Sequence, residues 1–221
     1  MPLRTYRSPL EPRLLETLRF AASSGTWLVA GIPASSRPTA SDLAEVRQEL
    51  GECRRCRLWQ TRTRIVFGVG NERAPVVFVG EAPGFQEDLR GEPFVGRAGQ
   101  LLDRMLAALG MNRGRVYIAN VLKCRPPDNR DPLADEVKTC VAFLWAQIEA
   151  IRPRVICALG AHAARALLGT TGSISGLRGK AQPVGPWTVV PTYHPAFLLR
   201  QPRFKRQAWE DLKTVGRLLA G

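Results

Sequence analysis

Four cysteines stand in two pairs, Cys53-x2-Cys56 and Cys124-x15-Cys140. Thiolates offered from one tight turn, and again from a distant part of the chain, can close on a single metal centre and staple the intervening fold. Disulfides are the competing reading. The first twenty residues carry acids, arginines and prolines where a signal-peptide core would be apolar, so an oxidised, secreted protein is not expected. The spacing lacks the two short knuckles of a four-cysteine zinc ribbon. It leans toward an iron–sulfur cluster and leaves zinc open. Cys157 lies in the apolar run Val155-Ile156-Cys157-Ala158-Leu159 and reads as a small core side chain.

A second group of chemically capable residues follows apolar runs. Glu81 sits in Gly80-Glu81-Ala82-Pro83-Gly84 after Val76–Val79, Asn120 follows Val116–Ala119, and His194 follows Thr188–Val190. A carboxylate, a carboxamide and an imidazole on neighbouring loops form a polar set suited to acid/base or anion-stabilising chemistry. Gly68-x-Gly70 precedes its strand, so it does not read as a dinucleotide loop. His162 opens the helix after the third strand and reads as a surface or phosphate-contacting residue.

The elements that must position these residues alternate in type. Helices are expected over Asp42–Leu50, Ala98–Leu109, Pro132–Ile151, Ala161–Leu168 and Phe204–Leu219, between strands at 76–79, 116–119, 155–159 and 188–190. This order predicts a three-layer α/β/α domain over residues 42–221, around a central, mostly parallel four-stranded sheet. Its strand-end loops would form the ligand crevice. Residues 1–41, rich in Ser, Pro and Gly toward their end, are read as a poorly ordered arm and linker. With 45% apolar residues in 221, the chain can bury a large core without disulfides. No apolar run reaches the length of a membrane span, and a cytoplasmic protein is expected. A net charge of +13, mostly from arginine, favours a polyanionic partner, nucleic acid first.

Together with Pro93-Phe94-Val95-Gly96, Asn120-Val121-Leu122-Lys123-Cys124-Arg125-Pro126-Pro127 and His194-Pro195-Ala196-Phe197-Leu198-Leu199-Arg200, the first loop resembles the family 4 uracil-DNA glycosylases over roughly residues 43–215. Its Gly-Glu-Ala-Pro-Gly form favours family 4 over family 5. The resemblance implies a monofunctional, monomeric base-excision enzyme without lyase activity, acting on uracil in double- or single-stranded DNA. It implies a 4Fe-4S cluster on Cys53, Cys56, Cys124 and Cys140. Phe94 would stack on a flipped base and Asn120 would read its Watson–Crick edge, with Gly80 and Ala82 lining the pocket. His194 would stabilise the leaving uracil anion, while Glu81, with Glu87 as a second carboxylate, would position water and oppose the sugar's positive charge. Leu198 would wedge into the duplex, and Arg125, Arg178, Lys180 and Arg200 would be phosphate contacts. An iron–sulfur electron carrier and a catalytically silent DNA-binding module are the alternatives from other classes.

Overall fold

The computed structural model describes residues 42–221, so the reading of residues 1–41 as an arm and linker lies outside the described residues. Among these residues the chain runs through α1 (Leu43–Leu50), β1 (Val69–Gly70), β2 (Val76–Gly80), α2 (Phe85–Arg90), α3 (Arg97–Ala108), β3 (Tyr117–Asn120) and α4 (Ala134–Ile151). It continues with β4 (Val155–Leu159), α5 (Ala161–Leu168), α6 (Ile174–Leu177), β5 (Gln182–Val184), β6 (Trp187–Thr192), α7 (Pro195–Arg200) and α8 (Lys205–Ala220).

The sheet has six strands in the order β1-β3-β2-β4-β6-β5, which corrects the expected four. The four expected strands form its parallel centre, and β1 and β5 add antiparallel edges. Both edges lack the signal that revealed the centre. β1 is only two residues long, and β5 is three residues with Pro183 at its middle, a residue confined to positions that need no ladder donor. The central strands are buried on both faces and therefore read as unbroken apolar runs.

Alternate residues divide the core into two layers. Val77, Val79, Ile156, Ala158 and Val189 pack with side chains of α1, α4 and α5, while Val76, Phe78, Val155, Cys157 and Val190 pack with Leu102 and Leu106 of α3 and Leu212 and Val215 of α8. Cys157 is fully buried, as its run implied. Parallel strands send their C-terminal ends to one edge, so the loops after β2, β3, β4 and β6 meet there. Among the described residues no helix is long and apolar enough to cross a membrane.

Candidate active site

The β2 and β3 ends are locked together first. Gly80 is paired with Asn120, and the backbone N–H groups of Val121 and Leu122 donate to the carbonyls of Gly80 and Glu81 at 2.9 and 3.0 Å. Gly80 is a glycine for a steric reason. A Cβ there would lie 2.3 Å from Asn120 Oδ1 and 2.6 Å from Phe94 Cζ, so its absence lets the carboxamide and the aromatic ring share one cleft. Asn120 is 2% exposed, and its Oδ1 has no hydrogen-bond partner. An orphaned buried acceptor costs roughly 1–3 kcal/mol, which a bound N–H donor would offset.

Phe94 is held in a backbone conformation that its side chain disfavours, with φ at +55°. Both sides of the residue are pinned. The Arg113 guanidinium donates to the carbonyls of Pro93 and Phe94, while Glu87 Oε1 accepts from the N–H groups of Val95 and Gly96 at 2.9 Å each. Gly99 of α3 completes the clamp, since a Cβ at that position would collide with the Phe94 carbonyl. Strain retained by this many contacts is a feature of functional sites. Glu87, expected as a second carboxylate facing the sugar, is thereby placed as the acceptor that shapes the Phe94 loop.

His194 lies 5.5 Å from Phe94 between ring centroids, stacked at 29°. It caps α7 with its ring: the Ala196 N–H donates to His194 Nδ1 at 3.1 Å. A backbone N–H can only donate, so Nδ1 holds a lone pair and the neutral ring carries its proton on Nε2. Burial, and then the Arg200 charge, lower its pKa to about 4. The imidazole is thus a neutral Nε2–H donor at neutral pH.

Glu81 is partly buried, and burial raises its pKa. Facing it is His162, whose Nε2 lies 3.8 Å from Glu81 Oε2 and 3.7 Å from Asp131 Oδ2. The sequence placed His162 as a surface or phosphate-contacting residue. Its position after β4 on the same sheet edge was the available signal. Ala82 is half-buried and packs beside Leu58, Leu122, Cys124 and Cys140. Lys123, wholly buried, was also passed over; its Nζ donates to the Asn120 carbonyl at 2.7 Å and to Gln147 Oε1 at 2.6 Å, fixing the backbone behind the carboxamide.

The residues expected around this cleft divide. Leu198 is 1% exposed and packs with Leu101, Tyr193 and Ala208, which corrects its reading as a wedge: the capped first turn of α7 turns it into the core. Arg178 is corrected too, because its guanidinium is spent on Asp211, at 2.6 Å, and on the Gln207 carbonyl. Arg200 and Lys180 are exposed. Arg125 stacks over the Phe85 ring at 5.1 Å and donates to Asn129 Oδ1 at 2.7 Å.

Behind the β2 and β3 loops the four cysteines gather as free thiols. Burial is the main cause that raises the pKa of Cys56, of Cys124 to about 11 and of Cys140 to about 12, and neighbouring sulfurs add to these three shifts. Arg62 Nη1 and the Lys123 N–H donate to Cys124 and Cys140 Sγ at 3.3 Å each. A buried, thiol-rich nest with donors and cations beside it suits a set of thiolates.

Comparison with known proteins adds an independent finding. Residues 67–213 match the model of the uracil DNA glycosylase superfamily. The chain is 48% identical over 184 residues to a type-4 uracil-DNA glycosylase of Archaeoglobus fulgidus, covering 80% of this chain and 92% of that protein. It is 46% identical over 180 residues to a type-4 uracil-DNA glycosylase of Thermotoga maritima, covering 79% and 94%. A type-5 uracil-DNA glycosylase of Pyrobaculum aerophilum is 33% identical over 171 residues, covering 70% and 75%.

Proposed function

The chain belongs to the uracil-DNA glycosylase superfamily, among its type-4 members, and on that premise we propose that this cleft excises uracil from DNA by hydrolysing its N-glycosidic bond. The observation that carries the reading is the buried, unpartnered Asn120 Oδ1 beside the Phe94 ring. Uracil presents an N–H next to a carbonyl on its pairing edge. A carboxamide can accept from the first and donate to the second, whereas cytosine reverses both groups.

A base stacked in a duplex must be flipped out before its glycosidic bond is reachable. Phe94, clamped in advance, receives the ring without further ordering. As the bond breaks, negative charge develops on the base, and the Nε2–H of His194 donates to the carbonyl oxygen that takes it. A neutral donor suits this step because an imidazolium in the same buried place would first have to be charged against its surroundings. Glu81 opposes the positive charge of the sugar and positions the attacking water. The products are free uracil and an abasic site, with no covalent enzyme intermediate and no lyase step.

Cys53, Cys56, Cys124 and Cys140 are the residues that would hold a 4Fe-4S cluster, zinc being the alternative. The cluster would supply structural cross-linking, because no step of the hydrolysis moves electrons. Protein purified without oxygen should carry about four irons per chain. Stoichiometric zinc without iron would overturn that assignment. The enzyme would act as a monomer in the cytoplasm, where cysteines stay reduced and open to a metal. The experiment that tests the function is free-base release from otherwise identical duplexes carrying uracil, cytosine or thymine opposite guanine. Uracil alone should be released at a substantial rate. An iron–sulfur carrier or a silent DNA-binding module would release none.

A further inference from the structure

Glu81 is a partly buried carboxylate of the cleft, and burial works against its charge. Its role in the proposed reaction requires the ionised form, since a neutral carboxyl neither opposes a developing cation nor orders water as an acceptor. Something nearby must compensate. The charged groups bearing on Glu81 are His162, from the first turn of α5, and Asp131, from the segment before α4. The ligand atoms of all three residues lie within 4.8 Å of one another.

Resting on the glycosylase reading, we propose that His162 is a positioning residue for Glu81: as a cation it holds the carboxylate ionised and turned toward the sugar, while Asp131 approaches the same Nε2 of the imidazole. The geometry gives the pair different weights. The Glu81 and His162 side chains are 31% and 30% exposed, so their attraction is only partly screened, whereas the Asp131 side chain is 85% exposed and its influence is largely lost to solvent. Burial raises the Glu81 pKa, His162 lowers it, and Asp131 raises it by the least. The 3.8 Å separation exceeds a hydrogen bond, so the resting interaction is that of charges; a small rotation of either side chain would close it.

Glycosylase activity through Glu81 is lost as pH falls through the pKa of its carboxyl, and removing the cation moves that pKa upward. In His162→Gln the acidic limb of the single-turnover rate should move to higher pH by about half to one unit, a partly exposed fraction of the shift that a close opposite charge produces. His162→Lys, with a permanent cation, should keep the limb at or below its wild-type position. Affinity for uncleaved DNA and thermal midpoint should be unchanged in both. Superimposed profiles for wild type and His162→Gln would overturn the proposal, as would equal shifts in the Gln and Lys variants, which would assign the effect to shape. Failure of the glycosylase reading looks different: the wild type itself would release no uracil at any pH.

Discussion

His194 illustrates how much a single hydrogen bond can decide. Its position after a strand end was legible in the sequence, and its family motif suggested contact with the leaving base. Its protonation was not legible, because that depends on which group meets Nδ1. The Ala196 N–H supplies the answer, and burial with Arg200 reinforces it by lowering the pKa to about 4. A group so lowered binds its proton in the unfolded chain first. His194 therefore costs stability as pH falls from its unfolded value, about 6.5, to about 4, and nothing further below that. His194→Ala should slow single-turnover release of uracil about a hundredfold or more at neutral pH, with DNA affinity largely retained. An unchanged rate would remove the imidazole from the mechanism. Asn120 was equally legible as a strand-end polar residue. Its orphaned Oδ1 was not, since burial without a partner is a property of the packed structure alone.

At the scale of elements, the parallel centre of the sheet was readable because strands covered on both faces are apolar throughout. The edge strands were not, being short and held by backbone pairing. The loop between α2 and α3 shows the same limit in a functional place. Glu87 is expected from the family resemblance as a second carboxylate facing the sugar, and in the fold its Oε1 accepts from the amides of Val95 and Gly96. The two roles predict different outcomes for Glu87→Gln. A glutamine oxygen can still accept both bonds, so uracil release should fall only a few-fold, at a cost of about 1 kcal/mol. A loss of a hundredfold with an unchanged thermal midpoint would restore Glu87 as a charge in the reaction. α7 carries a related lesson: four residues after His194, Leu198 lies on the inner face of the helix, a direction set by the ring cap and Pro195 at the helix start.

Over the described residues, one edge of the sheet collects the candidate site, while the cysteine set brings the segment around Cys53 and Cys56 beside the β3 loop and α4, which a bound cluster would tie together. Arg62, which donates to the Cys53 carbonyl and to Cys124 Sγ, joins the two cysteine pairs, and Lys123, whose Nζ donates to the Asn120 carbonyl and whose N–H donates to Cys140 Sγ, connects the set to the cleft. The net charge of +13 supports a DNA partner but names no contact; Arg178, equally basic in sequence, is committed to Asp211 in the fold. The central claim is that Asn120, open on its buried side, reads uracil. Its most direct test is single-turnover base release by Asn120→Asp from matched duplexes bearing uracil or cytosine. An ionised carboxylate can accept from the uracil N–H but faces the neighbouring carbonyl without a donor, leaving a mismatched buried pair worth about 2–3 kcal/mol. Uracil release should therefore fall by roughly thirtyfold or more. Full retention of the wild-type rate on uracil would contradict the account, because Asn120 would then not touch the base.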